Sequence, residues 1–411
     1  VPHLTDDQEC TLSHDPSPTS FAWRIALFYS AIFLVLGVSL PYFPLWLQWQ
    51  GLTPTEIGLV TSVPLFVRIA ATPMIGFAAD RAQSVRRVVV IAAAFGLLSA
   101  CILMFSSGVW LILVFFTLFQ ISSLALMPLA EVAAMQGVRE KGLDYGRMRL
   151  WGSIAFIVAN IGGGWVIATY GNATILPILI GGSILSLAAG WYLPERHERS
   201  RKAANKMNWR DIQAALKHRG LLIIMLAGGV IQASHAVYYA FSAIHWQVQG
   251  IDGRWFGILW GVGVVAEVIL FAYAGRALAR IGAVAMIAIG GLGALIRWAL
   301  MAVDPSFAVL LLLQLLHGLT FGATHLGTVH AIQERVGADR AASAQALHSA
   351  LSSGVLMGFT MILAGRLYGG YAGASYIAMA GLSVIGLVLL AWVARDGWRA
   401  DAGRGGSGLT P

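Results

Sequence analysis

The chain is short of charge. Only 11% of its 411 residues are Asp, Glu, Lys or Arg, against about 25% in an ordinary soluble domain. So few charged residues cannot cover the surfaces of the two or three soluble domains this length could form. A wholly soluble enzyme, a disordered protein and a nucleic-acid binder are excluded. Cysteine is scarce too: Cys10 and Cys101 cannot build a disulfide framework, and Cys101 lies in an apolar run as a small packing residue. No zinc box, Gly-x-Ser-x-Gly or His-Glu-x-x-His is present, which argues against a membrane-embedded hydrolase. The first 20 residues carry Asp6, Asp7, Glu9 and Asp15 without Lys or Arg, the reverse of a signal peptide's basic start. The first apolar helix is therefore expected to stay in the mature chain.

Apolar residues make up 58% of the sequence and the mean hydropathy is +0.74. A spanning helix needs about 20 apolar residues. Twelve runs qualify, at 23–46, 55–79, 88–106, 109–136, 147–169, 173–193, 220–246, 254–275, 282–302, 306–332, 342–367 and 372–394. The connections are short except for a basic stretch over 194–219. The chain thus divides into an N-terminal tail (1–22), a six-helix bundle (23–193), a linker (194–219), a second six-helix bundle (220–394) and a C-terminal tail (395–411). The expected fold is an all-α membrane protein of twelve transmembrane helices in two pseudo-symmetric bundles.

Basic residues set orientation. Of 27 Lys and Arg, 23 fall on the side that holds both termini and the linker, and Arg254 and Arg366 on the other. Cytoplasmic loops collect Lys and Arg, so both termini are expected in the cytoplasm. The formal charge of +8 reports topology and implies no nucleic-acid partner. The halves also read as a repeat. Aligning Gly76 with Gly275 places Arg68 opposite Glu267, Glu131 opposite His330 and Arg149 opposite His348. Such polar pairing in an apolar chain points to a cavity on the pseudo-twofold axis and to alternating access.

Ionisable groups at bilayer depth are costly and face partners or cavities. Glu131 and Glu267 are the acidic residues well inside spans. Glu267 reads either as a protonatable coupling carboxylate or as half of an ion pair with Arg68 or Arg297. Glu131 and Arg149, 18 residues apart across a turn, read as a salt bridge or as a substrate site in which the Arg fork grips a carboxylate or hydroxyl. Histidines crowd the second half. His317 and His325 are eight apart, so they are expected roughly on one helical face, about 80° apart at 100° per residue. Tyr238 and Tyr239 follow His235. Trp151, Trp260 and Trp298 lie deeper than the other tryptophans, either packed or forming an aromatic wall.

With these residues in hand, the chain resembles the major facilitator superfamily over all twelve helices. Gly76-Phe-Ala-Ala-Asp80-Arg81 with Arg86-Arg87 is similar to its gating loop motif, stretched by about two residues. The segments Leu143–Ser153, Ser234–Trp246 and Gly263–Ile269, with Arg297-Trp298 and Gln314–His317, resemble bacterial phenylpropionate permeases, within a wider group of lactose permease and nucleoside/proton symporters. The resemblance implies a monomeric secondary transporter in a bacterial inner membrane that rocks two halves around a small-molecule site. It implies substrate binding by Glu131 and Arg149, with Arg68, Tyr238, Tyr239 and Trp151 as further candidates. It implies proton coupling by Glu267, Arg297, His317 and His325, and gating by Gly76, Asp80 and Arg81. The proton is the coupling ion, and no other cofactor or metal is implied. Where lactose permease has a carboxylate one turn after the helix-ten histidine, this chain has Thr320. The favoured substrate is a small aromatic carboxylate. Nucleoside or sugar symport, efflux by proton antiport and a non-transporting sensor are the rivals.

Overall fold

The computed structural model describes residues 17–81, 84–194, 218–336 and 338–395. The tails 1–16 and 396–411 and most of the expected 194–219 linker lie outside the described residues. Every described element is a helix. The first half contains α1 (Pro18–Trp49), α2 (Pro54–Arg81), α3 (Val85–Met104), α4 (Val109–Lys141), α5 (Tyr145–Tyr170) and α6 (Ile175–Trp191). The second contains α7 (Arg219–Ala233), α8 (Ala236–Val248), α9 (Arg254–Ile281), α10 (Ala283–Met301), α11 (Phe307–Leu315), α12 (Thr324–Val336), α13 (Ala338–Ser349), α14 (Met357–Tyr371) and α15 (Tyr376–Arg395).

Eleven stretches are long and apolar enough to cross a membrane. The last, Arg340–Arg395, is 56 residues long and a 3₁₀ turn at Ala372–Ser375 divides it, which gives the twelve spans expected. Three of these spans are interrupted. The seventh breaks at Ser234–His235 between α7 and α8. The tenth runs from α11 through a π-helical turn, Gly318–Ala323, into α12. The eleventh runs from α13 through a second π turn, Ala350–Leu356, into α14.

Polar side chains start several of these helices, because the first N–H groups of a helix lack intrahelical partners. Ser84 Oγ accepts from Arg87 N at 3.3 Å, Asp144 Oδ1 from Arg147 N at 3.1 Å, and His218 Nδ1 from Leu221 N at 3.2 Å. Gly142, at φ +65°, closes α4 in the left-handed conformation that only glycine adopts cheaply. Trp49, Trp110, Trp191 and Trp255 are exposed near helix ends, the usual place for tryptophan at a membrane surface.

Within the first half α1 packs on α5 and α6; within the second α15 packs on α7 and α10. The halves meet through α2 with α14, α5 with α9, and α1 with α8. Two of these contacts are backbone to backbone. A Cβ on Gly58 of α2 would lie 2.7 Å from the Met361 carbonyl of α14. A Cβ on Gly257 of α9 would strike the Asn160 carbonyl of α5. Both lie toward the end of the bundle away from Pro18 and Arg395.

Candidate functional site

Between the halves lies a cavity of about 590 Å³, within the size range of small-molecule sites. Ser39 and Phe43 of α1, Arg68 of α2 and Gln120 of α4 line it from the first half. Gln232 of α7, Tyr239 of α8, Phe321, His325 of α12 and His348 of α13 line it from the second, with Ser349 and Ser352. Residues of both π turns reach it, Phe321 and Ser352 among them. π turns often mark functional positions, because the wider i→i+5 turn re-aims side chains.

The first π turn changes the geometry expected for the histidines. Turning less per residue than an α-helix, it aligns His317, Phe321 and His325 in one column. The His317 and Phe321 rings stack 5.4 Å apart at 11°, and Phe321 and His325 stack 5.9 Å apart at 10°. The two histidines, expected roughly on one helical face, are brought closer into line than the 80° of an uninterrupted helix.

Arg68 lines the cavity and donates to Ser349 Oγ across the halves at 3.4 Å. Among the described residues it meets no carboxylate. Tyr239 and His325 also line the cavity. Tyr238 is buried behind it, 4.6 Å from the Trp260 ring in a stack. Trp151 does not reach it. Its ring is 41% exposed and packs on Trp23 at 5.3 Å, so the aromatic wall contains other rings.

Beside the cavity a hydrogen-bonded network surrounds Arg297, which is fully buried on α10. Its Nη2 donates to Gln314 Oε1 at 2.8 Å, and its Nη1 to His317 Nδ1 at 3.1 Å and Thr320 Oγ1 at 3.3 Å. The guanidinium lies over the Tyr238 and Trp298 rings, 4.6 and 4.7 Å from their centroids. Because Nδ1 of His317 accepts, its proton sits on Nε2, and that atom faces Glu267 Oε2 at 3.8 Å. His235 donates from Nδ1 to the Gln232 carbonyl at 3.0 Å, leaving Nε2 to accept from the Thr320 hydroxyl at 3.0 Å. Thr320 thus links the arginine to a histidine of the seventh span.

The structure corrects the expected partner of Glu267. Its ionisable neighbour is His317, at 3.8 Å. Neither Arg68 nor Arg297 pairs with it. Arg149 lies over the Phe33 ring at 4.2 Å and the Tyr29 ring at 5.4 Å. Among the described residues Glu131 and Arg149 form no ion pair within 4 Å. Gly76, Asp80 and Arg81 occupy the last turns of α2, and their side chains lie outside the described residues.

Sequence reasoning did not single out Tyr29, Phe321, Gln120 or Ser349. The i, i+4, i+8 spacing of His317, Phe321 and His325 was the available signal for Phe321. Tyr29, Gln120 and Ser349 have no flanking pattern to mark them.

The sequence model of the MFS_1 like family matches residues 22–378. This chain belongs to that family, within the major facilitator superfamily of transporters. Among its relatives, the "probable 3-phenylpropionic acid transporter" of Escherichia coli (strain K12) is 31% identical over 358 residues, 84% of this chain and 90% of the relative. The maltose permease of Geobacillus stearothermophilus is 27% identical over 391 residues, 92% and 97% of the two chains. The crystal structure of the nucleoside transporter NupG matches with a TM-score of 0.81 at 17% identity, covering 91% of this chain and 99% of that one. The transporter is thus a multi-pass membrane protein and not an enzyme, built on the twelve-helix major facilitator fold.

Proposed function

We propose that this transporter imports a small aromatic carboxylate together with protons across a bacterial inner membrane, as a monomer with both termini in the cytoplasm. The observation that carries this reading is Arg68, a mid-span cation that lines the cavity and meets no carboxylate among the described residues. An unpaired cation at bilayer depth is costly, and an anionic substrate removes that cost when it binds. The relative named for 3-phenylpropionic acid supports the same substrate class. Arg149 is the weaker anchor, because the Phe33 and Tyr29 ring faces already attend it.

In this reading Glu267 carries the proton. Thr320 stands where the sugar permease has its carboxylate, and Glu267 is the carboxylate at the edge of the Arg297 network. The charged form is held by His317 within its own half. Protonation removes that attraction from α9, the helix that packs on α5 across the halves. That step ties proton movement to rocking. No cofactor besides the proton takes part.

A second reading, a nucleoside or sugar symporter, draws on the neutral polar lining of Gln120, Gln232, Gln345 and Ser353 and on the maltose permease relative. Uptake of labelled 3-phenylpropionate, maltose and a nucleoside into proteoliposomes under an imposed pH gradient separates the two. Gradient-driven uptake of 3-phenylpropionate alone supports the first. Uptake of a neutral substrate with indifference to the acid overturns it.

A further inference from the structure

A second cavity, of about 250 Å³, opens within the first bundle among α1, α2, α3, α4 and α6. It adjoins the cavity between the halves, and Arg68, Gln120, Ser39, Leu36 and Leu65 border both. Its inner wall is apolar, with Phe33, Leu97, Phe119 and Leu126. Besides Ser39 at the border, four serines face it, and each of these four spends its proton on its own helix. Ser122 donates to the Leu118 carbonyl at 2.9 Å, Ser123 to Phe119 at 3.0 Å, Ser183 to Leu179 at 2.7 Å and Ser186 to Gly182 at 2.9 Å. What these serines present to the cavity is small size, not a free donor. The cavity between the halves adds to its apolar residues His325, His348, Gln120, Gln232 and Gln345.

The two cavities therefore offer a charged mouth and an apolar recess, with Arg68 at their junction. An apolar cavity of about 150 Å³ already accepts a benzene ring, so this recess has room for a ring and a short tether. We propose that the aromatic ring of the substrate seats inside the first bundle, between α3, α4 and α6, while its carboxylate stays on Arg68 at the threshold. The inference rests on the aromatic-carboxylate reading above and adds where the ring goes and what selects it. Ring size is then read by Leu97, Ser183 and Ser186, not by Tyr239 and Phe321 of the other half.

A photolabel tests the placement. The full transporter in liposomes is irradiated with 3-(4-azidophenyl)propionate, with and without excess 3-phenylpropionate, and labelled peptides are mapped by mass spectrometry. Label on α3, α4 or α6 that the competitor prevents supports the recess. Competitor-sensitive label on Tyr239, Phe321 or His325 places the ring between the halves and overturns this inference, while leaving the aromatic-carboxylate reading intact. Label that no competitor prevents overturns both. Two variants add an independent measure. Ser183→Leu narrows the recess and is expected to weaken binding of 3-phenylpropionate at least tenfold, with propionate unchanged. Leu97→Ala widens it and is expected to improve binding of a naphthyl analogue relative to the phenyl acid. An equal effect of both variants on propionate and the aryl acids counts against a ring subsite.

Discussion

The Glu267 carboxylate lies 3.8 Å from Nε2 of His317, and the other nitrogen of that ring accepts from Arg297 at 3.1 Å. The arginine fixes which histidine nitrogen carries the proton, and so fixes a donor toward Glu267 without touching the carboxylate. Glu267→Gln is nearly isosteric and permanently neutral. It is expected to abolish accumulation driven by a pH gradient while retaining substrate binding and exchange of labelled for unlabelled substrate. Accumulation against a gradient in this variant would place the proton elsewhere, with Glu131 the next carboxylate inside a span.

Arg68 is expected to hold the substrate carboxylate through a planar fork that lysine does not reproduce. Arg68→Lys should weaken binding of an aromatic acid by about 1.5–3 kcal/mol, the usual worth of a hydrogen bond to a charged group. Arg149→Lys should weaken it less. Equilibrium binding in detergent gives both values, and the reverse order would return the anchor to Arg149.

Gly58 and Gly365 let α2 and α14 touch backbone to backbone; a Cβ on Gly365 would lie 2.6 Å from the Pro54 carbonyl. Gly58→Leu should hold the halves apart at that end. The expected result is a new reactivity to an impermeant thiol reagent at a cysteine placed at Ser353, together with a slower transport cycle.

His245 ties several connections together on the same side. Its Nε2 meets Asp304 Oδ1 at 2.7 Å and its Nδ1 the Tyr368 hydroxyl at 3.2 Å, while Gln249 Nε2 donates to Asp304 at 3.0 Å. Asp304 holds φ at +50°, a conformation a non-glycine residue keeps only when its neighbours enforce it. Asp304→Ala removes both bonds and is expected to cost about 1–3 kcal/mol, read as a lowered Tm in detergent.

From the basic count, the 194–219 linker is expected in the cytoplasm. A cysteine introduced at Lys206 should resist an impermeant thiol reagent in intact cells and react in inverted vesicles.

The spans were legible because membrane helices must be apolar over a fixed length, and that constraint lies in composition. Their observed ends run further on the side of the termini, α4 to Lys141 and α9 to Ile281, because polar residues continue a helix beyond the apolar window. The π turns were not legible: the residues of Gly318–Ala323 and Ala350–Leu356 also fit an α-helix, so nothing in the pattern marks the change of pitch. The shared face of His317 and His325 was legible from their spacing, but the closer alignment through Phe321 was not. Charge pairing was legible only in part. The sequence marks Glu267, Arg149 and Arg297 as expensive groups needing partners. The partners depend on packing between distant helices, which gave Arg297 a glutamine, a histidine and a threonine in place of a carboxylate.

The contacts at Gly58 and Gly257 carry no charge and no side-chain hydrogen bond between the halves. Their cohesion is dispersion, about 0.1–0.2 kcal/mol for each pair of atoms, and neither pH nor salt changes it. The seal at that end therefore acts as a constant, reversible load on the cycle. In the proposed mechanism the part that varies with the proton gradient is Glu267, beside His317 at 3.8 Å, so net movement is expected to follow the gradients and to run backward when they are reversed.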